Sequence, residues 1–221
     1  MKVTQILKKL HIPIPDNKLV EEIFRISSEN TSERLIEIPL VLNAIPHKLS
    51  RILDIGCRYS LMPLQLASVG HEMHGMDIHP YDKKHPNLQF HEESILDTTL
   101  PKNYFDVVIS LSTIEHIGMD AYAGVKDGDG DKRAIEQARR LLKKNGIFIF
   151  TAPFGKAKDG GWYRVYNTKR LQSVLEGFTL KELRVFRMKN KKWIPTTVQQ
   201  GEKIDCSSEI TCAFFLTAVK K

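Results

Sequence analysis

The sequence contains few cysteines and no long hydrophobic run. Its three cysteines, Cys57, Cys206 and Cys212, are too few and too scattered for a disulfide framework or a zinc cluster. No apolar run approaches the roughly 20 residues that span a bilayer. Residues 1–18 have neither the long apolar core nor the small-residue cleavage site of a signal peptide. We therefore expect a cytoplasmic protein without a metal site.

The composition is that of an ordinary globular protein. Hydrophobic residues make up 42% of the 221 residues and charged residues 27%, which favours one α/β domain with at most a small appendage. The net charge of +7 fits either an anionic partner or a lysine-rich solvated surface. The charge is spread along the chain, which favours the solvated surface. The densest basic cluster, "RMKNKKW" at 187–193, indicates nucleic-acid binding only weakly.

The apolar periodicity predicts helices first and then alternating strands and helices. Helical spacing over 18–45 predicts two helices, the second capped near Thr31 or Ser32 and kinked or interrupted at Pro39. Strands are predicted at 51–55, 72–77, 88–91, 104–110, 147–153, 179–186 and 211–219. Helices are predicted between them at 61–69, 131–144 and 168–176. This alternation predicts a mainly parallel sheet with helices on both faces and ligands beyond the carboxyl ends of its strands.

The turn after the first strand, "ILDIGCRYS", departs from a dinucleotide-binding turn. Asp54 and Gly56 are present, but Arg58 and Ser60 stand where further glycines would let the backbone approach a pyrophosphate. Asp77, at the end of the second strand, is well placed to accept both hydroxyls of an adenosine ribose. The pattern argues against a diphosphate at this turn and is compatible with a ligand that has no phosphate.

Four motifs follow one another over about residues 50–155: "ILDIGC", "GMDIHP", "FDVVISLSTIEHIG" and "LLKKNGIFIF". Together they resemble the class I S-adenosylmethionine-dependent methyltransferases. The resemblance implies a Rossmann-like sheet of seven strands with helices on both faces and an antiparallel last strand. It also implies a helical extension at 1–48 that covers the site, a methyltransferase domain at 49–221, S-adenosyl-L-methionine as cofactor and S-adenosyl-L-homocysteine as product. The tail is similar to a bacterial and archaeal subgroup, some of whose members are associated with polysaccharide synthesis.

The resemblance further implies a set of cofactor-binding residues at the strand ends: Asp54, Gly56, Cys57, Arg58, Ser60, Asp77, Ile78, His79, Ser94, Ile95, Ser110, Leu111, Ser112 and Glu115. Within this set Asp54 would meet the methionine amine, and Asp77 would hold the ribose. Ser94 stands where most relatives have an acid beside the adenine, and its hydroxyl can still bond the adenine edge. Arg58 either faces solvent or reaches the methionine carboxylate, and Ser60 is suited to cap the next helix.

His116, in "STIEHIG", is the candidate general base, because neutral histidine can accept a proton near pH 7. The alternative is that the Glu-His pair only shapes the loop beside the cofactor. "KDGDGDK" at 126–132 fails as a calcium loop, so we interpret its aspartates as a turn and helix cap or, alternatively, as a substrate or metal contact. The segment 160–167 fits either an acceptor pocket or a lid packed on the core. Candidate acceptor contacts are Tyr81, Asp127, Trp162, Tyr163, Arg164 and Tyr166.

The leading hypothesis is methyl transfer to a small-molecule or glycan acceptor, most simply at a hydroxyl. The first alternative is an RNA methyltransferase, which the positive charge supports, although "SLST" stands where an amino-methylation motif would follow the fourth strand. The second alternative is a non-catalytic cofactor-binding or scaffold protein, suggested by the altered turn and by Ser94. Failure to bind S-adenosylmethionine would favour the scaffold.

Overall fold

The computed structural model describes residues 32–119 and 127–221. Its helices are α1 (Arg34–Ala44), α2 (Met62–Ser68), α3 (Gly130–Leu141), α4 (Thr168–Val174) and α5 (Val198–Gly201), with a 3₁₀ turn at Ile114–His116. Its strands are β1 (Arg51–Ile55), β2 (Glu72–Asp77), β3 (Leu88–Glu92), β4 (Phe105–Leu111), β5 (Leu142–Pro153), β6 (Phe178–Lys189), β7 (Lys192–Thr196) and β8 (Cys212–Lys220). The predicted alternation of strands and helices is confirmed.

The described strands form one mixed sheet in the order β3-β2-β1-β4-β5-β8-β6-β7. Strands β1 to β5 pair with one another in parallel, whereas β8 runs antiparallel to both β5 and β6. The antiparallel last strand is therefore confirmed. The sheet has one strand more than predicted, because "KWIPT" pairs with β6 as an antiparallel edge strand. Proline is tolerated at that edge, where its missing N–H breaks no ladder.

Both faces of the sheet are covered, which explains the continuous apolar strands. One face packs Leu53, Val108 and Phe148 into a cluster that includes residues of α3 and α4. The other face packs Ile52 and Val107 into a second cluster that includes residues of α1 and α2. Strands buried on both faces carry apolar residues in succession instead of alternating with polar ones. The motifs at the strand ends are therefore held by a rigid, two-sided core.

Helix α1 begins later than predicted and runs through its proline. Its N-cap is Glu33, and the helix continues past Pro39 to Ala44 without the predicted interruption. Val41 is fully buried in the second cluster. The first of the two helices predicted over 18–45 lies largely outside the described residues, and the division of the chain at residue 48 stays a prediction.

The observed end of α3 differs from the predicted one, because strand pairing begins before the helical periodicity of the sequence ends. Helix α3 ends at Leu141, three residues before its predicted end, because Leu142 already pairs with Phe105 of β4. Asn145 adopts a left-handed φ of 62° within the extended start of β5. Within the described residues, no helix combines the length and apolarity needed to cross a membrane.

Candidate functional site

Parallel pairing brings the ends of β1, β2 and β4 to one edge of the sheet. Ile55 of β1 lies opposite Met76 of β2 and Ser110 of β4. Asp54 and Asp77 therefore reach the same edge, and the negative charge of Asp77 raises the pKa of Asp54, although burial is the larger cause. The two acids that the sequence singled out thus lie close enough to interact.

The turn after β1 requires glycine at position 56, because of its backbone conformation and its close contact with Thr113. Gly56 has φ 76°, and its N–H donates to the carbonyl of Met76 at 2.7 Å. A methyl group on Gly56 would overlap the side chain of Thr113 and lie 2.8 Å from its Cβ. Cys57 is fully buried, and burial raises the pKa of its thiol. The turn is therefore a tight, preformed cradle despite lacking further glycines.

Arg58 and Ser60, which stand where further glycines were expected, contact neighbouring residues of the turn and of helix α2. The Ser60 hydroxyl accepts the N–H of Met62, the first residue of α2, at 3.1 Å. The Arg58 guanidinium lies over the ring of Tyr59, 4.9 Å from its centre, while the Arg58 N–H donates to Asp77. The Tyr81 hydroxyl donates to the carbonyl of Ser60 at 2.8 Å, so Tyr81 also braces the turn.

Asp77 is fixed by two backbone donors that leave its carboxylate usable. Its Oδ2 accepts the Arg58 N–H and its Oδ1 the His79 N–H, each at 3.0 Å. A carboxylate has about four acceptor positions, so both oxygens can still accept from a ligand. Ile78, next to it, is 48% exposed and presents an apolar surface beside these acceptors. This pairing suits a ribose with an attached flat base.

The region after β3 is more structural than the sequence implied. Ser94 accepts the Leu96 N–H at 3.1 Å, and Ile95 is buried with the core that contains β1 and β4. Glu93 accepts from the hydroxyl of Thr98 at 2.8 Å. Ser94 and Glu93 are therefore engaged in holding their own loop.

Several buried polar atoms at the strand ends have no hydrogen-bond partner among the described residues. They are Asp54 Oδ2, Ser110 Oγ and both carboxylate oxygens of Glu115. Burial raises the pKa of Asp54 to about 7 and that of Glu115 well above its ordinary value. Buried acceptors without donors are costly in a folded protein. A ligand that brings N–H donors and positive charge would satisfy them.

Helix α1 contributes two residues that sequence reasoning missed. Glu37, 1% exposed, accepts from the Ser112 hydroxyl at 2.7 Å and from Arg34 at 3.0 Å. Arg34 also donates to the carbonyl of Leu111 at 2.9 Å. Burial raises the pKa of Glu37, although Arg34 and the Ser112 hydroxyl oppose that shift. The available signal was an acid four residues before the buried Val41, on the helix face that packs on the sheet.

His116 is held against Trp162 at the mouth of the same edge. Its Nδ1 lies 2.9 Å from the carbonyl oxygen of Trp162, and the two rings stack with centres 4.7 Å apart. A carbonyl oxygen only accepts, so Nδ1 carries the hydrogen and Nε2 of the neutral ring is an acceptor. Nε2 is 3.8 Å from Glu115 Oε1. Burial lowers the pKa of His116, which favours the neutral ring.

Most other predicted acceptor contacts are buried supports. Tyr166 is fully buried and donates to Asp131 at 3.0 Å, and Arg164 donates to the carbonyls of Ile117 and Asp127. Tyr163 is 3% exposed and, like Tyr166 and Arg164, is not part of an exposed acceptor surface. In segment 160–167, Trp162 is 48% exposed.

The aspartate segment before α3 forms a braced turn. Asp127 accepts the Asp129 N–H at 2.9 Å and pairs with Arg133 at 2.7 Å. The N-cap is Asp129, and its side chain makes no capping bond, so the predicted side-chain cap is wrong in that detail. No group of three or more potential metal ligands is clustered within 32–119 and 127–221.

With this geometry established, the chain can be compared with known proteins. Residues 53–150 match the family described as "Methyltransferase domain". No curated protein matches the chain in sequence. Among solved structures it is similar to a SAM-dependent methyltransferase from Methanosarcina mazei, with 18% identity and a TM-score of 0.58 over 82% of this chain and 97% of that one.

Two further structures show how widely this fold is used. The 1,6-didemethyltoxoflavin-N1-methyltransferase of Burkholderia thailandensis, with bound 1,6-didemethyltoxoflavin and S-adenosylhomocysteine, shares 12% identity and a TM-score of 0.59 over 95% of this chain and 92% of its own. The [4+2]-cyclase SpnF shares 14% identity and a TM-score of 0.56 over 84% of this chain and 80% of its own. At such identities the likeness shows the fold alone, and a fold does not fix an activity.

The fold is thus a Rossmann-like methyltransferase fold. The chain contains a match to a methyltransferase domain at residues 53–150, and the cofactor to test at its site is S-adenosylmethionine, which the sequence resemblance implies. The site fits that cofactor. The α-ammonium of S-adenosylmethionine would supply donors to Asp54 and Glu115, and the ribose hydroxyls of the cofactor would donate to Asp77.

Proposed function

We propose that this enzyme methylates a hydroxyl group of a small-molecule or glycan acceptor. The observation that carries the proposal is the state of His116. The Trp162 carbonyl holds Nδ1 as the protonated nitrogen at 2.9 Å, and burial lowers the pKa of the ring. The neutral ring therefore carries its proton-accepting lone pair on Nε2, and a hydroxyl acceptor needs such a base whereas a deprotonated amine does not.

The chain's residues divide the work between binding and proton transfer. S-adenosylmethionine supplies an activated methyl group on a sulfonium when bound. Asp54 and Glu115 hold the methionine amine, and Asp77 with Ile78 holds the nucleoside. His116 Nε2 would accept the hydroxyl proton of the acceptor as its oxygen receives the methyl group. The buried strand ends keep water from the reacting atoms.

Trp162 supports a ring-shaped acceptor. Its side chain is 48% exposed, and its ring stacks on His116 at 4.7 Å. An exposed aromatic face beside the base can pack on a sugar or another ring and bring its hydroxyl toward Nε2. The N1-methyltransferase among the structural neighbours was solved with the small molecule 1,6-didemethyltoxoflavin bound. This agrees with a small-molecule acceptor.

The experiment has a binding arm and a pH arm. Calorimetric titration with S-adenosylmethionine, S-adenosylhomocysteine and NAD as control tests the cofactor site. A methyl-transfer screen over sugar and metabolite hydroxyls then tests the acceptor class. With a positive acceptor, kcat should rise with pH to a plateau through a pKa below 6.5, because the base acts in its neutral form. His116→Gln should lower kcat by about 10²- to 10⁴-fold, and an unchanged kcat would remove the base assignment.

The position of the positively charged surface makes RNA a less favoured acceptor than a small molecule or glycan. A basic surface cleft of about 440 Å³ is lined by Lys102, Asn103, Glu136, Gln137, Arg139, Arg140 and Lys220. It lies at the amino end of β4, at the opposite edge of the sheet from Ser110 and His116. RNA bound there would not present a base to the methyl-transfer site. A salt-dependent affinity for RNA that inhibits methyl transfer would favour that class instead.

A further inference from the structure

Helix α1 reaches the cofactor edge through one buried carboxylate. Glu37 is 1% exposed, and its Oε1 accepts the Ser112 hydroxyl at 2.7 Å. Its Oε2 accepts from Arg34 at 3.0 Å, and Arg34 also donates to the Leu111 carbonyl at 2.9 Å. The last residue of β4 and the residue after it are therefore both tied to the same helix.

The residue that Glu37 holds has an unusual backbone. Ser112 has φ 42°, in the left-handed region that non-glycine residues seldom adopt. Its N–H donates to the carbonyl and hydroxyl oxygens of Thr151, at 3.1 and 3.0 Å. Such a conformation persists only where surrounding contacts impose it, and these cluster at functional sites. Here the contacts are Thr151 on the backbone and Glu37 on the side chain.

The next residue closes on the cofactor turn. Thr113 occupies the space beside Gly56, where an added methyl group would overlap its side chain. Gly56 in turn is anchored to β2 through the carbonyl of Met76 at 2.7 Å. A change in the direction of the chain at Ser112 would therefore displace Thr113 from Gly56 and loosen the turn.

We propose that Glu37 is a positioning residue for the cofactor: it holds Ser112 in the left-handed conformation so that Thr113 closes on the Gly56 turn. The proposal rests on the cofactor assignment above. It makes α1 a part of the methyltransferase site, with no direct contact from Glu37 to the reacting atoms. Helix docking and cofactor binding are then coupled, so each strengthens the other.

The test is a double-mutant cycle read by cofactor binding. Glu37→Ala should weaken S-adenosylmethionine binding by roughly tenfold, because an unsupported left-handed serine relaxes to another conformation. Glycine adopts this backbone without strain. Ser112→Gly should therefore suppress most of the loss, and the double variant should bind within about twofold of Ser112→Gly alone.

The control separates positioning from simple attachment of the helix. Val41→Ala removes buried α1 packing without touching the Ser112 bond, and Ser112→Gly should not restore what it loses. If Glu37→Ala does not fold, Glu37→Met, which keeps a similar side-chain volume but has no oxygen to accept the Ser112 hydroxyl, takes its place in the cycle. If the wild-type protein binds S-adenosylmethionine and the losses of affinity in Glu37→Ala and Ser112→Gly simply add in the double variant, the positioning role is overturned and the cofactor assignment stands. A wild-type protein that binds no S-adenosylmethionine would overturn the cofactor assignment and the proposal with it.

Discussion

Substituting Gly56 by alanine tests whether the turn after β1 is rigid. Two costs add at this position. Its φ of 76° costs a non-glycine residue roughly 1–2 kcal/mol. The added methyl would overlap Thr113, and forcing extra volume into a packed site costs about 1–3 kcal/mol more. We therefore expect Gly56→Ala to lower the free energy of unfolding by about 2–5 kcal/mol, a large share of a typical total.

Two other glycines supply matched controls. Gly70 has φ 100°, but its added methyl would meet only the end of the flexible Leu49 side chain, at 3.3 Å. Gly70→Ala should thus show the backbone cost of roughly 1–2 kcal/mol without the overlap. Gly128 has an ordinary φ and nothing within 4 Å, so Gly128→Ala should change stability little.

The assay is urea unfolding followed by circular dichroism, with calorimetric titration of S-adenosylmethionine on each folded variant. Gly56→Ala should lose affinity as well as stability, whereas Gly70→Ala and Gly128→Ala should keep wild-type affinity. A Gly56→Ala variant no less stable than Gly70→Ala would refute the rigid contact with Thr113. Unchanged cofactor affinity in Gly56→Ala would refute the role of this turn as the cofactor cradle.

Three further substitutions test the buried acid, the exposed aromatic and the core bond. Burial raises the pKa of Asp54 to about 7, so ionisation destabilises the fold between about pH 4 and pH 7. In urea unfolding, the free energy of unfolding of Asp54→Asn should equal that of wild type near pH 4 and exceed it by up to about 4 kcal/mol above pH 7. If the two proteins lose stability in parallel as the pH rises, the buried charge of Asp54 is not the cause. Trp162→Ala should raise the acceptor KM by about tenfold and leave cofactor affinity intact in calorimetry, and an unchanged KM would remove it from the acceptor site. Tyr166→Phe removes the donor to buried Asp131 and should cost about 1–3 kcal/mol in urea unfolding. An unchanged free energy of unfolding in Tyr166→Phe would contradict the buried bond.

Much of the central fold could be predicted from the chain alone. The predicted bounds of β1 and β2 are those observed: β1 is a short run rich in branched apolar residues, and β2 begins shortly after Gly70, where the preceding helix was predicted to stop. Asp54, Gly56 and Asp77 could be recognised because they lie at or just after the carboxyl ends of two strands that share an edge. Local patterns specify local structure, and parallel topology then brings their ends together.

Other features depended on which distant segments meet. Strand β7 is short and contains Pro195, so only its pairing with β6 identifies it as a strand. Tyr166 and Arg164 have the residue types of an acceptor pocket, yet contacts across the fold bury them.

The sequence by itself determined the strand–helix alternation, the acids at the strand ends and the resemblance to methyltransferases. Only the tertiary structure decided that Glu37 supports Ser112, 75 residues further along the chain, and that the buried Glu115 carboxylate has no hydrogen-bond partner among the described residues. The physical reason is that periodicity and turn chemistry act over a few residues. The environment of a charge is set by every segment that packs around it.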